Sequence, residues 1–320
     1  MICGLIERDG QTVTEPSLQM LTFARILAGQ AGSDVCALVI GSGVPGLTET
    51  LGRYGVSQVV RVVHDQLEDY APRAWANALI QAVADRSPQI VLAAGTDRGN
   101  EVMAHVAALS NVPMAANCTA AGPGDPLHVT RFRWGGSLLE EATLGGDPKL
   151  MTVAPFTMVA EEAAGAVAPA EETVAPTLSD ADLRVRVVRR EAEVAEGISL
   201  KTAPVVVGGG RGVGSAEGYA VLERLAEKLG GAVGCSRVAT NNGWRPHSDQ
   251  VGLTGTRISP LLYIACGISG AIQHQVGCKG SKNILVINKD PEAAFFAKAD
   301  YGVIGDLHEV LPAIIAELDQ

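Results

Sequence analysis

Short apolar runs alternate with segments of helical periodicity along the whole 320-residue chain. In the first half, the runs in "ICGLIE", "VCALVIGSG" and "IVLAAGTDRG" are typical of buried strands. The stretch "PSLQMLTFARILAGQ" has apolar residues at helical spacing and closes at Gly29, and "EVMAHVAALS" predicts a second helix. Strands that alternate with helices pair in parallel, so we predict an α/β chain whose sheets are mainly parallel and flanked by helices.

Length and local composition divide the chain into two domains. A chain of 320 residues is long for a single core. Residues 160–180 are rich in Ala, Glu and Pro and lack a clean period, which predicts a surface segment that wraps the first domain or bridges to the second. The stretch "LRVRVVRREAEV" then alternates like one more strand. We therefore expect an N-terminal α/β domain over residues 1–196 and a second, Rossmann-like domain over residues 197–320.

Charge and composition exclude several classes of function. The net charge is −10 and aromatic residues make up 4%, so nothing suggests a nucleic-acid partner. No unbroken apolar run reaches the roughly 18 residues of a membrane span. The start "MICGLIERDGQ" lacks the basic region of a signal peptide, so we expect a cytoplasmic protein, or one of a matrix if a transit peptide was removed. The six cysteines are scattered, which predicts buried, reduced thiols and no metal site.

After residue 200, five apolar runs are each followed directly by glycine or polar residues. If the runs are parallel strands, their carboxyl ends meet along one edge of a sheet, and open α/β sheets bind their ligands at that edge. The five clusters lie at residues 208–212, 236–237, 267–274, 288–290 and 305–307.

The first cluster, in "VVVGGGRGVGS", is a glycine turn of incomplete type. It matches neither a strict G-x-G-x-x-G pattern nor a turn that ends in G-K-[ST]. It is predicted to lead into the helix "SAEGYAVLERLAEKLG", whose first N–H groups could hold a phosphate. Arg211 favours this interpretation over a plain tight connection, because a cation in a glycine turn favours an anion.

The third cluster, "GISGAIQH", combines a bare backbone with an amide and an imidazole. Gly267 and Gly270 would let a ligand approach the main chain, and Ser269 offers a hydroxyl. Gln273 and His274 would then reach a polar ring or chain. An isolated histidine is more often a satisfied interior side chain, but the five aligned strand ends favour a dinucleotide site.

In these clusters the sequence resembles the α subunit of the electron transfer flavoproteins, the family that includes the FixB proteins. The resemblance spans most of residues 204–307 and holds its internal spacing. The first half is similar more loosely, through "GLIERDG", "FARILA" and "LMTVAP". The matching stretches are "VVVGGGRGVGS", "GCSRVATNNGW", "DQVGLTGTRISPLLYIACGISGAIQH", "GSKNILVINKDPEAAFF" and "ADYGVIGDL".

The resemblance implies that the C-terminal domain holds FAD. Arg211, the glycine turn and Ser236 are then expected at the pyrophosphate, and Arg237 over the isoalloxazine ring. Thr254 is expected near the flavin N5 atom and His274 near O2. The residues expected to contact FAD are Gly210, Arg211, Gly212, Ser236, Arg237, Gln250, Val251, Gly252, Leu253, Thr254, Gly267, Ser269, Gly270, Ala271, Ile272, Gln273, His274, Asn288, Asp306 and Leu307; the last three belong to the adenosine end.

The family also implies partners and a role. It predicts a heterodimer with a β subunit, flavin-containing dehydrogenases as electron donors, and an acceptor such as a membrane quinone oxidoreductase. Such a carrier needs no catalytic residue of its own. A guanidinium near the flavin, and a hydrogen bond from an imidazole to O2, both favour reduced and negatively charged flavin.

The sequence departs from the family pattern beside the predicted flavin. Leu253 stands where a Gln is frequent, Thr256 where a Lys is frequent, and residues 240–243 read "TNNG" in place of a common Val-Asp-Ala-Gly. Three alternatives stay open at this stage. They are an electron-bifurcating member of the family that uses NADH, an NAD-binding enzyme of related fold, and a flavin-free interaction protein.

Overall fold

The computed structural model describes residues 1–122, 124–136, 138–165, 168–189 and 198–319. The chain forms two compact units, Met1–Glu191 and Ala192–Gln320. The boundary predicted between residues 196 and 197 lies outside the described residues. Each unit is built on a sheet that is mainly or entirely parallel and has flanking helices, which confirms the predicted α/β class.

The first unit contains a nine-stranded sheet in the order β11-β5-β4-β1-β6-β10-β7-β8-β9. The strands from β11 to β7 run parallel, and β8 and β9 extend the sheet as antiparallel strands. A small two-stranded ribbon pairs β2 with β3. The strands are β1 Ile2–Ile6, β2 Arg8–Asp9, β3 Thr12–Val13, β4 Val35–Ile40, β5 Gln58–Val62, β6 Ile90–Ala94, β7 Met114–Gly122, β8 Leu127–Arg133, β9 Leu138–Leu144, β10 Lys149–Val153 and β11 Ala170–Val174.

Helices cover both faces of this sheet. The inner strands are apolar on both faces, and successive side chains enter different cores. In β1, Ile2 and Ile6 join the core beneath α1, whereas Cys3 and Leu5 join the core beneath α3 and α4. The helices are α1 Glu15–Ala31, α2 Leu47–Arg53, α3 Pro72–Ala84 and α4 Asp97–Ser110.

Two local predictions for the first unit need correction. Helix α1 does not close at Gly29 but ends at Gly32, whose φ of 58° is the left-handed conformation that glycine adopts at little cost. The predicted surface segment is mostly exposed and lies along the first unit, and within it residues 170–174 form the edge strand β11, which pairs with β5 although its sequence "AEETV" has little strand propensity. Ion pairs from Arg61 to Glu171 and from Arg86 to Glu172 hold this strand at the edge of the sheet.

The strand predicted for "LRVRVVRREAEV" is wrong over its described residues. Residues 183–189 form turns and extended chain outside any sheet. Val185 and Val188 are 64% and 89% exposed, so their alternation does not face a core. Asp182 anchors this segment to α3 through hydrogen bonds from Arg73 and Asn77.

The second unit contains a five-stranded, fully parallel sheet in the order β13-β12-β14-β15-β16. All five apolar runs expected here are strands. The two core clusters on its faces are dominated by Val, Leu, Ile, Tyr and Phe side chains. The strands are β12 Val205–Gly209, β13 Ala232–Cys235, β14 Leu262–Cys266, β15 Ile284–Asn288 and β16 Tyr301–Ile304; the helices are α5 Ala220–Lys228, α6 Arg237–Asn241, α7 Ile272–Cys278 and α8 Leu307–Glu317.

No helix in the described parts of the chain has both the length and the apolar character that crossing a membrane requires.

Candidate functional site

A cavity of about 600 Å³ lies at the carboxyl edge of the second sheet, as the strand ends predicted. The residues that follow β12, β13, β14 and β15 line it, together with the loop before β14. The lining residues are Arg211, Gly212, Gly214, Ser236, Arg237, Val238, Asn241, Gln250, Val251, Gly252, Leu253, Thr254, Gly267, Ile268, Ser269, Ala271, Gln273, His274, Asn288, Lys289 and Asp290.

Five residues expected at the site do not line this cavity. Asp306 accepts a hydrogen bond from the N–H of His308 and so caps α8. Leu307, the first residue of α8, is buried in the core. Gly270 lies against Phe295, where an added Cβ would approach the main-chain nitrogen to 2.4 Å. Gly210 and Ile272 are the other two. The end of β16, the outermost strand, therefore does not contribute to the lining.

Six lining residues were not among the expected FAD contacts. Lys289 and Asp290 belong to a polar cluster that the sequence does display after β15. Val238, in α6, and Ile268, in the loop after β14, carry no chemical signal, because in the sequence such apolar side chains are indistinguishable from core residues. The other two are Gly214 and Asn241.

The glycine turn after β12 brings two backbone segments into close approach. The N–H of Gly212 donates to the carbonyl of Gly267 over 3.0 Å. A Cβ on Gly212 would lie 2.7 Å from the Cα of Gly267, and one on Gly210 would lie 2.3 Å from the carbonyl oxygen of Gly267. Only glycine fits at these two positions, because any side chain would meet main-chain atoms that cannot move aside.

The helix predicted to follow this turn is confirmed, although it begins two residues later than expected, with a 3₁₀ turn over Glu217–Tyr219 that runs directly into α5. Residues 211–213 form a 3₁₀ turn, and α5 begins only at Ala220. The N–H groups of Gly210, Gly212, Val213 and Gly214 all donate to carbonyls of the protein itself. Residues 210 and 212–214 of the turn therefore use their N–H groups internally, whereas the Arg211 side chain is exposed and, among the described residues, has no hydrogen-bond or ion-pair partner.

A hydrogen-bonded group of side chains surrounds Thr254. The Arg237 guanidinium donates to Thr254 Oγ1 over 2.6 Å, and the Gln250 amide donates to the same oxygen over 3.0 Å. The Thr240 hydroxyl lies 2.9 Å from Gln250 Oε1, which holds that amide in place. Because Thr254 Oγ1 already accepts two hydrogen bonds, its own proton remains available to a ligand.

The imidazole of His274 is buried, with 6% of the residue exposed. Its Nε2 lies 2.7 Å from the hydroxyl of Tyr263, and Phe295 packs edge-on against the ring. Burial lowers the pKa of His274 to about 4, and the carbonyl of Val251 opposes that shift. The imidazole is therefore neutral at pH 7.

Two buried polar atoms of the lining residues, Ser236 Oγ and His274 Nδ1, have no hydrogen-bond partner of good distance and angle among the described residues, although the carbonyl of Val251 lies near the His274 ring. Buried polar groups are normally paired, so two orphans beside one cavity point to a ligand that supplies the partners. Concavities of about 610 and 640 Å³ on the first unit have no such atom in their lining. Three cations and one carboxylate line the site, which suits an anionic ligand: Arg211, Arg237, Lys289 and Asp290.

Both units match models of known protein families. Residues 2–179 match the electron transfer flavoprotein domain, and residues 199–279 match the electron transfer flavoprotein FAD-binding domain. The α subunit of the electron transfer flavoprotein of Thermoanaerobacterium thermosaccharolyticum is 33% identical over 98% of this chain and 95% of its own length. The protein FixB of Clostridium saccharobutylicum is 36% identical over 97% and 93%, respectively.

The chain belongs to the electron transfer flavoprotein α-subunit family.

A further relative matches over nearly its full length. The α subunit of Bacillus subtilis is 34% identical over 98% of this chain and 95% of its own. The cofactor of the matched domain is FAD, and the residues present fit it. A pyrophosphate suits the cationic lining, and the orphaned Ser236 Oγ and His274 Nδ1 suit a ligand rich in hydrogen-bonding atoms.

Proposed function

We propose that this protein is an electron carrier subunit, which binds FAD in its C-terminal unit and works as a heterodimer with a β subunit. It accepts electrons from flavin-containing dehydrogenases and passes them to an acceptor such as a membrane quinone oxidoreductase. The observation that carries the proposal is the cation-lined cavity with two orphaned polar atoms, located in the unit that matches the FAD-binding domain. The proposed domain boundary near residue 197 and the cytoplasmic location belong to the same proposal.

The cationic side of the cavity is proposed to hold the FAD pyrophosphate. Arg211 is exposed and unpaired within the described chain, so it can turn to a phosphate without breaking an existing contact. The buried Ser236 hydroxyl lacks a partner and can donate to a phosphate oxygen. Asn288 is proposed to face the adenosine end, and its amide is already oriented by a hydrogen bond to the carbonyl of Ile268.

The opposite side is proposed to hold the isoalloxazine ring. FAD supplies one- and two-electron redox chemistry when it is bound. Thr254 has a free proton to donate toward N5, and Arg237 presents a permanent positive charge beside it. His274 remains a neutral imidazole, so it can act toward O2 as a hydrogen-bond donor but not as a cation.

A simple carrier is preferred to the alternatives that the sequence left open. An NAD-binding enzyme or a flavin-free protein does not agree with membership of this family and the match to its FAD-binding domain. Nothing favours a bifurcating variant over a simple carrier. A carrier needs a cofactor held in a fixed environment, and the hydrogen-bonded Arg237–Thr254–Gln250 group provides one.

The proposal is tested by co-expression with an electron transfer flavoprotein β subunit, followed by purification and spectroscopy. We expect a yellow heterodimer that releases intact FAD on denaturation, accepts electrons from a flavin-containing dehydrogenase and turns over no small substrate by itself. A colourless complex, FMN in place of FAD, or turnover of a small substrate by the complex alone would each contradict the proposal.

A further inference from the structure

The first two glycines after the β12 valines make room for two buried tyrosines. A Cβ on Gly208 would lie 2.2 Å from the hydroxyl oxygen of Tyr263, and a Cβ on Gly209 would lie 2.6 Å from the ring of Tyr219. Both tyrosines are almost fully buried, on opposite faces of the second sheet. The glycine run therefore serves these phenols as well as the close approach of Gly212 to Gly267.

The two phenols differ in what they contact. Tyr219 donates to the carbonyl of Gly209 over 2.9 Å, which is a purely structural hydrogen bond. The Tyr263 hydroxyl meets Nε2 of His274 at 2.7 Å, and that histidine lines the cavity. The rings of Tyr263 and His274 both pack against Phe295, so the imidazole is held in place on two sides.

The direction of the hydrogen bond between Tyr263 and His274 follows from the available acceptors. A neutral phenol has one proton, and burial raises the pKa of Tyr263 well above its usual value, so the proton stays on the oxygen. Within the described residues, Nε2 of His274 is the hydrogen-bond partner of this hydroxyl. If Tyr263 donates to Nε2, the neutral imidazole carries its own proton on Nδ1. Nδ1 is the buried atom that lacks a partner of good geometry, and the nearby carbonyl of Val251 also favours a proton on the imidazole.

We propose that Tyr263 is a positioning residue that holds His274 as the Nδ1–H tautomer in one orientation, so that FAD meets the imidazole as a hydrogen-bond donor. Tyr263 itself does not line the cavity and acts through His274. This inference rests on the proposed function of His274 toward FAD. A hydrogen-bonded neighbour that fixes the tautomer of a functional histidine is a general device of protein sites.

The test replaces Tyr263 by Phe, which removes the hydroxyl and keeps the ring. The apoprotein is studied by ¹H–¹⁵N correlation of its histidine side chains, with His274 assigned from the spectrum of His274→Gln. The wild type should show His274 as a single Nδ1–H tautomer, and Tyr263→Phe should show signals averaged between the two tautomers. The matched control is Tyr219→Phe, which loses a hydrogen bond of similar length and should leave the His274 signals unchanged.

The second readout uses the protein loaded with FAD. We expect the FAD dissociation constant of Tyr263→Phe to rise roughly three- to tenfold, the value of one neutral hydrogen bond, together with a shifted flavin midpoint potential. Tyr219→Phe should change neither. If Tyr263→Phe does not fold, incorporation of 3-fluorotyrosine, a stronger donor of similar shape, should shift the Nε2 resonance of His274 instead.

The outcomes separate this inference from the function on which it rests. An unchanged tautomer in Tyr263→Phe, or an unshifted Nε2 resonance in the fluorotyrosine protein, overturns the inference. A second outcome concerns the cofactor. Suppose that His274→Gln alters the flavin and that Tyr263→Phe changes the tautomer, but that Tyr263→Phe has the same FAD affinity and flavin potential as Tyr219→Phe. The inferred effect of Tyr263 on the cofactor is then overturned. If His274→Gln also leaves the flavin unaltered, the proposed role of His274 itself is wrong.

Discussion

The two units use the carboxyl edge of a parallel sheet in opposite ways. In the first unit, four polar side chains at this edge are paired with one another: Thr96 Oγ1 donates to Glu7 over 2.5 Å, and Thr152 Oγ1 donates to Asn100 over 2.7 Å. Arg61, near the end of β5, pairs through its terminal nitrogen with Glu171, although its buried Nε has no partner among the described residues. In the second unit, Ser236 Oγ and His274 Nδ1 are buried beside a cavity without a partner.

This difference shows that the carboxyl edge of a parallel sheet is a place for a ligand but not proof of one. An edge whose buried polar groups satisfy each other has nothing to offer a ligand, since binding would break existing hydrogen bonds. An edge whose buried polar groups lack partners forms new hydrogen bonds when a ligand binds, and it loses none. The following predictions test this contrast, starting with the largest expected effect.

A pair of glycine substitutions should separate folding from cofactor binding. In Gly212→Ala the added Cβ would lie 2.7 Å from the Cα of Gly267, and in Gly99→Ala it would lie 2.0 Å from the carbonyl of Ala94. Overpacking against main chain should destabilise each variant by about 2–3 kcal/mol. Only Gly212→Ala should lose FAD, measured as the flavin-to-protein ratio after desalting. Flavin loss in Gly99→Ala of equal extent would remove the distinction between the two edges.

Two hydroxyl deletions, one at each edge, should differ in their effect on the unfolding free energy of the apoprotein. Thr152 is fully buried and also accepts a hydrogen bond from the N–H of Asn117 over 2.8 Å, so Thr152→Val should cost about 2 kcal/mol of unfolding free energy. Ser236→Ala removes an orphaned hydroxyl and should leave the apoprotein within about 0.5 kcal/mol of wild type. Urea unfolding measures both.

The same pair should reverse for the cofactor. Ser236→Ala should weaken FAD binding by roughly tenfold, because a hydrogen bond to a charged phosphate is lost. Thr152→Val should retain the wild-type affinity, measured by flavin fluorescence during titration. A strongly destabilised Ser236→Ala apoprotein would show that this hydroxyl has an internal partner and is not waiting for a ligand.

Acidification should affect the two edges with opposite sign. The folded-state pKa of His274 is lowered from 6.5 to about 4 by burial, so its contribution to stability is complete above pH 6.5 and is lost as the pH falls toward 4. At about 1.4 kcal/mol per pKa unit, the apoprotein should lose about 2 kcal/mol between pH 7 and pH 5 through this residue. In His274→Gln that loss should disappear from urea unfolding curves.

Glu7 provides the contrast within the same experiment. Burial raises its pKa, so its folded form binds a proton more readily than its unfolded form. Its contribution to stability is present below the unfolded pKa and is lost as the pH rises through the folded one. Glu7→Gln should therefore remove a loss of unfolding free energy that occurs as the pH rises, whereas His274→Gln removes a loss that occurs as the pH falls. If both variants changed the pH dependence of stability in the same direction, the assigned pKa shifts would be contradicted.

The smallest expected effect is that of Arg237→Ala on the flavin potential. Arg237 is exposed, so its charge is screened and contributes at most about 1 kcal/mol at 4 Å, or roughly 40 mV for one electron. The variant should keep FAD and have a lower midpoint potential. Arg224→Ala, which removes the same charge from α5 away from the cavity, should leave the potential unchanged. Loss of FAD with an unchanged potential would make Arg237 a phosphate anchor.

The sequence predicted the parts of this fold that depend on local pattern. Buried parallel strands need continuous apolar runs, so β1, β4, β6 and all five strands of the second sheet could be located from hydrophobicity alone. Strand β11 could not, because "AEETV" becomes a strand only through its ladder with β5 and its ion pairs with distant arginines. The alternating "LRVRVV" was misleading for the converse reason, since no sheet edge receives it.

The sequence by itself determined that polar clusters follow the strands of a parallel sheet, because strands that run in the same direction place their carboxyl ends at one edge whatever their order. Only the tertiary structure decided which clusters line the cavity: residues 288–290 do, whereas Asp306 caps a helix at the outer strand. It also decided that the N–H groups of the glycine turn are used internally, and that His274 is paired with Tyr263. Hydrogen-bond satisfaction depends on atoms far apart in sequence, so no local pattern encodes which polar group is left for a ligand.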